Sequence, residues 1–117
     1  MRKKIFNYFE LAAQLAISKT DRRSFMLGAI GLRSDGVIVK ALNAPTEAPN
    51  YKTHAEKRLV AKLNVGSIVY VARVRRDTGE FGLSKPCFSC MKAMKTAGVK
   101  KVYYTISQNE FGMIYLD

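Results

Sequence analysis

Three side chains in this 117-residue sequence can bind a soft metal: His54, the one histidine, and Cys87 and Cys90, the two cysteines. Glu56 stands two places after His54, and the cysteines lie in Pro86-Cys87-Phe88-Ser89-Cys90. One imidazole and two thiolates supply three zinc ligands and leave a fourth position for water, whereas a structural zinc site takes four protein ligands. The ligand count therefore points to catalysis. Glu56 is the neighbouring group able to carry protons. Each half alone has a plainer reading. His54 fits a surface histidine and Glu56 a charge at a helix N-terminus. The C-x-x-C run fits a thioredoxin-type redox pair or part of a structural zinc site. The two halves together, in this order, are far more specific.

The elements around these residues can be read from periodicity. Ile5, Phe6, Phe9, Ala12, Ala13 and Ala16 recur at helical spacing and predict a first amphipathic helix over about Lys3 to Ser18. Ser24 to Leu32 and Val37 to Leu42 read as strands, joined by the turn signal Ser34-Asp35-Gly36. Pro45 and Pro49 forbid regular pairing around Thr46 to Tyr51. A second helix is expected from His54 to about Leu63, with Leu59, Val60 and Leu63 inward and Lys57, Arg58 and Lys62 outward. Ile68 to Val74 is almost continuously apolar, as in a strand covered on both faces. A turn at Asp77-Thr78-Gly79-Glu80 leads to a third helix, from about Cys87 to a C′ glycine at Gly98. Val102 to Thr105 and Phe111 to Leu116 complete the pattern as strands. Strands alternating with helices imply an α/β fold, a mixed sheet between helices. Only about five residues separate the last two strands, too few for a parallel crossover, so they should pair antiparallel. Both halves of the metal-ligand set fall at expected helix starts, where the partial positive charge favours thiolates. Cys87 and Cys90 are three apart and share a helical face.

The net charge of +11 attracts phosphates, hence nucleotides or nucleic acid. No apolar run approaches the roughly 20 residues of a membrane span. Met1-Arg2-Lys3-Lys4 imitates the start of a signal peptide, but Asn7, Glu10 and Gln14 interrupt the apolar stretch that must follow. Thiolates kept for a metal suit a reducing compartment, so a cytoplasmic location is expected.

His54-Ala55-Glu56, Ser84-Lys85-Pro86-Cys87-Phe88-Ser89-Cys90 and Ala97-Gly98-Val99-Lys100-Lys101-Val102-Tyr103-Tyr104 together resemble the core of the cytidine deaminase superfamily, whose signature is H-x-E followed by P-C-x-x-C. The resemblance covers the whole chain, and the compact length is similar to that of phage-encoded members. It implies one domain over residues 1–117, a three-layer α/β/α fold with a five-stranded mixed sheet whose last two strands are antiparallel, and Zn2+ as cofactor. It implies His54, Cys87 and Cys90 as zinc ligands and Glu56 as proton shuttle, moving the proton of an attacking water to the ring and the departing amine. By the same resemblance Asn43, Ala55, Pro86 and Tyr104 contact substrate, and the protein is a homo-oligomer whose neighbouring subunits complete the pocket. Tyr103 or Tyr104 would stack on a base neighbouring the target. Free cytidine deaminases usually carry cysteine as first ligand, where this chain has His54. The small core and the lack of an added nucleic-acid module nevertheless favour cytosine in a nucleoside or nucleotide as the leading substrate. Cytosine or adenine in single-stranded DNA or RNA is the second, favoured by the charge. A non-catalytic, zinc-stabilised nucleic-acid-binding protein is the third reading, against which Glu56 argues.

Overall fold

The computed structural model describes residues 2–16, 25–42, 59–60, 62–75 and 77–116 of the chain. Helix α1 (Arg2–Ala16) lays Ile5, Phe9, Ala12 and Ala13 against the sheet and leaves Lys3, Lys4, Asn7, Glu10 and Gln14 in solvent. This is the stripe expected from a 3.6-residue period. Strands β1 (Phe25–Leu32) and β2 (Ile38–Leu42) form an antiparallel hairpin, with Leu32 opposite Ile38 and Gly28 opposite Leu42. Gly36 has φ +89 and donates its N–H to Arg33 O, which makes a type I turn closed by a left-handed glycine. Asp35 fixes the turn by accepting from Val37 N and from the Arg33 guanidinium.

Strand β3 (Ile68–Arg75) is the centre of the sheet, whose order is β2-β1-β3-β5-β6. One edge is used along its whole length by β1, from Phe25 opposite Arg75 to Leu32 opposite Ile68. The other edge is shared. The first half, Ile68 to Val71, pairs parallel with β5 (Lys101–Thr105). The second half, Arg73 and Val74, pairs antiparallel with β4 (Phe81–Gly82). This two-residue strand is additional to the five expected. It forms where β5 no longer pairs with β3, and the turn Asp77–Glu80 returns the chain to the vacated edge, with Arg75 N donating to Glu80 O. β5 and β6 (Phe111–Tyr115) form the expected antiparallel hairpin, with Lys101 opposite Tyr115 and Thr105 opposite Phe111.

Alternation along β3 divides the core into two layers. Tyr70, Ala72 and Val74 face α1 together with Ile30, Phe81 and Tyr103. Val69 and Val71 face the opposite way and pack with Ala29, Leu59, Cys90, Met94, Val99 and Val102. The second layer is covered by Leu59 and by helix α2 (Phe88–Thr96), which lies in the crossover between β3 and β5. The fold is therefore a three-layer α/β/α sandwich about a mixed sheet. Of the helix expected from His54, Leu59 and Val60 are described as helical, and His54 to Arg58 lie outside the described residues. Its end comes before Leu63: Lys62 N and Leu63 N donate to the carbonyls three residues back, those of Leu59 and Val60. No helix among the described residues is long and apolar enough to cross a membrane.

Candidate active site

The segment carrying the thiols is held from below by two buried hydroxyls. β4 and β5 meet the edge of β3 at adjacent positions, and Ser84 and Thr105, both buried, bridge the join with their hydroxyls. Thr105 Oγ1 donates to Gly82 O at 2.7 Å and accepts from Arg73 N at 3.2 Å. Ser84 Oγ donates to Val71 O at 2.9 Å and accepts from Thr105 N at 2.8 Å. The two hydroxyls are 2.9 Å apart, and Ser84 N donates to Thr105 O. Two side chains thus tie β3, β4 and β5 together, and the chain leaves this knot directly into Lys85, Pro86 and Cys87. Buried polar groups at full satisfaction rigidify what hangs from them. Among the site-forming residues, this pair escaped sequence reasoning. A threonine closing an otherwise apolar buried strand was the available signal.

Pro86 is buried, and Cys87 takes the N-cap position of α2 with φ −70 and ψ 165. The first helical hydrogen bond runs from Met91 N to Cys87 O at 3.0 Å. Expecting the helix to start around Cys87 was therefore one residue early, because the residue in the cap has an extended backbone. The far end obeys the glycine rule. Gly98, at φ +89, donates to Lys95 O, and Val99 N donates to Met94 O, which is the Schellman pair of bonds. Gly66 N donates to Gly98 O and Lys100 N to Ser67 O, fastening this end to the start of β3.

The cap geometry brings the two thiols together. Cys87 Sγ lies 3.3 Å from Cys90 Sγ and 3.3 Å from Ser89 Oγ. Cys87 is exposed, while Cys90 is wholly buried against the second core layer. The pair thus presents one sulfur from the protein interior and one from the rim. Thiolates on a tetrahedral zinc, with bonds of about 2.3 Å, stand roughly 3.8 Å apart, so an opening of about 0.5 Å would seat the ion. The donor set fits zinc: soft sulfur at a helix N-terminus, on a scaffold fixed at both ends. Among the described residues no group of three histidine, cysteine or carboxylate side chains converges. The expected third ligand His54, the proton carrier Glu56 and the substrate contacts Asn43 and Ala55 lie outside the described residues.

Tyr104 is half-buried on the same side of the sheet as Cys90 and packs against that core layer. Its ring covers Gly112 across the hairpin so closely that an added methyl there would collide with it. Tyr103, considered with Tyr104 as a stacking residue, points the other way. It is buried on the α1 face with its ring stacked 5.2 Å from that of Tyr70, which makes it a core residue.

The family described as the cytidine and deoxycytidylate deaminase zinc-binding region matches residues 2–106. Among solved structures, a cytidine deaminase from Burkholderia pseudomallei superposes with a TM-score of 0.66 at 20% identity, covering 99% of this chain and 93% of that one. A cytidine deaminase from Mycobacterium leprae gives a TM-score of 0.57 at 18% identity, covering 95% and 92%. At such identities the likeness is one of fold. Comparison with curated protein sequences returns no match.

Proposed function

Because the chain belongs to the cytidine and deoxycytidylate deaminase zinc-binding family, matched over residues 2–106, we propose that it hydrolyses the exocyclic amine of cytosine in a (deoxy)cytidine nucleoside or nucleotide. Water and cytosine give uracil and ammonia. The observation that carries this reading is the Cys87–Cys90 pair, whose sulfurs meet 3.3 Å apart at the start of α2. With His54 they would hold the metal. When bound, zinc supplies the positive charge that makes an attacking water acidic near neutral pH. Glu56 would take one proton of that water and pass it to the ring nitrogen, and after attack carry the second proton, from the new hydroxyl, to the leaving amine. Ser84 and Thr105 hold the thiol-bearing segment in register with the sheet. Asn43, Ala55, Pro86 and Tyr104 border the base and sugar, and a neighbouring subunit completes the rim. Residues 1–117 act as one domain, and thiolates kept for a metal suit a reducing compartment such as the cytoplasm.

Product analysis of the zinc-loaded protein tests this against cytidine, deoxycytidine, their monophosphates, adenosine and single-stranded oligonucleotides. Uracil products should appear fastest from the free nucleosides or nucleotides, and Cys87→Ser should lose both zinc and turnover. Turnover of adenosine alone, or of cytosine only within an oligonucleotide, would contradict the substrate assignment.

A further inference from the structure

Helix α2 has a second face that the deamination chemistry does not use. At about 100° per residue, Phe88, Lys92 and Lys95 lie within about 60° of one another around the helix, and Cys90 and Met94 point roughly 100–160° away from them. This outer face borders a groove of about 450 Å³ lined by Phe88, Met91, Lys92, Lys95 and Leu116. Leu116 is placed there by its N–H, which donates to Lys100 O at the end of the β5–β6 hairpin. Phe88 is 78% exposed, the most exposed aromatic among the described residues and the immediate neighbour of Cys87. A phenylalanine costs solubility in that position and contributes little to the core.

The charge of this face has one sign. Between Glu80 and Glu110 the sequence contains Lys85, Lys92, Lys95, Lys100 and Lys101 and no aspartate or glutamate. None of these lysines is ion-paired among the described residues. Lys95 in the last helical turn complements the helix dipole, but Lys92, in the middle of α2, has no such role. A groove with an exposed ring at one end and unneutralised ammonium groups along it matches a ligand of alternating flat rings and phosphates. Phe88 and Lys95 are seven residues apart, which is about 10 Å along the axis. A chain of several nucleotides spans that length with a base on the ring and phosphates beside both lysines. A second copy of this protein would bring its own positive charge onto the groove.

We propose that the outer face of α2 is a binding groove for single-stranded nucleic acid, in which a base stacks on Phe88 and successive phosphates meet Lys92 and Lys95. Stacking on an exposed aromatic is tolerant of sequence, and phosphate contacts carry no sequence information, so the groove accepts strands with little preference. It is separate from the metal site and does not depend on which substrate is deaminated.

The test is fluorescence anisotropy with a labelled oligothymidylate of about 15 nucleotides, which lacks cytosine and so keeps binding apart from deamination. Saturable binding by the wild-type protein is expected, weakened about tenfold or more in Phe88→Ala. Lys92→Glu combined with Lys95→Glu should reduce the magnitude of the log–log salt slope by about 1.4, for two phosphate contacts at roughly 0.7 each. Both variants change exposed side chains, and equal zinc content and unfolding midpoint would show that fold and metal site are intact. Absence of saturable binding, or equal affinity and salt slope in all three proteins, would overturn the proposal. So would polyglutamate competing as well as unlabelled oligothymidylate, since an acidic peptide would then be the partner. Loss of self-association in the variants without change in oligonucleotide affinity would assign the face to a second copy instead.

Discussion

Replacing Thr105 with valine removes one hydroxyl and leaves the side-chain volume nearly unchanged, so the outcome isolates the hydrogen bonds beneath the thiol segment. In the wild type, Thr105 Oγ1 serves Gly82 O at 2.7 Å and Arg73 N at 3.2 Å. Valine deprives both backbone groups of that partner. Arg73 and Gly82 are also partners in the β3–β4 ladder, so each loses one hydrogen bond at about 0.5–1.5 kcal/mol, and the two sum to about 1–3 kcal/mol. Thr105→Ser is the control. It keeps the hydroxyl and removes one buried methyl, at about 1 kcal/mol. Stability should therefore fall in the order wild type, serine variant, valine variant. Since domains of this size hold roughly 5–15 kcal/mol in total, the valine loss is a large fraction. Urea denaturation reads it as a lower midpoint at constant slope. A valine variant as stable as the serine variant, or more so, would show instead that methyl packing rather than polar satisfaction governs the site.

Gly98→Ala should destabilise by more than about 1 kcal/mol, because the residue sits at φ +89 and an added Cβ would come within 2.9 Å of Val65 Cα; a calorimetric Tm equal to wild type would contradict this. Burial, with a smaller contribution from the neighbouring Tyr103 and Tyr8, pushes the Tyr70 hydroxyl up from 10.0 to about 12. The folded state thus favours the neutral form. This contribution is fully present below pH 10, where the unfolded chain begins to ionise, and is lost as pH rises towards 12. Urea midpoints in Tyr70→Phe should be less sensitive to pH across that window than in wild type, and identical profiles would remove Tyr70 from the account. Sedimentation velocity should show a species larger than the monomer, since the proposed pocket needs a neighbour's rim, and a monomer at micromolar concentration would leave that rim unexplained.

Local rules made part of this molecule legible. The Asp35-Gly36 turn, the glycine ending α2, the short β5–β6 connection and the shared face of Cys87 and Cys90 each follow from a few adjacent residues, and each stands in the structure as expected. β4 was not legible because two residues carry no period. Phe81–Gly82 becomes a strand only where β5 leaves part of the β3 edge open, a condition set some twenty residues downstream. The Ser84–Thr105 knot has the same origin, joining residues 21 apart where the β4 and β5 edges meet. Tyr103 and Tyr104 show the cost of a one-residue ambiguity in a strand. Adjacent side chains face opposite layers, so one joins the ring stack with Tyr70 and the other packs on the side of Cys90. The outer face of α2 was hidden in plain composition, because Phe88, Lys92 and Lys95 become a groove only once Leu116 arrives beside them.

In the proposed site His54, Cys87 and Cys90 hold zinc and Glu56 carries the protons for the deamination of cytosine. The most direct test is the rate of uracil formation from deoxycytidine, cytidine and their monophosphates by wild-type protein and Glu56→Gln at matched zinc content. Glutamine cannot carry the proton, so about one zinc per chain is expected in both proteins, with uracil from the wild type and a loss of turnover of at least about 10²-fold in the variant. Near-equal turnover in the two proteins, or a zinc-loaded wild type that leaves every cytosine substrate unchanged, would contradict the assigned chemistry.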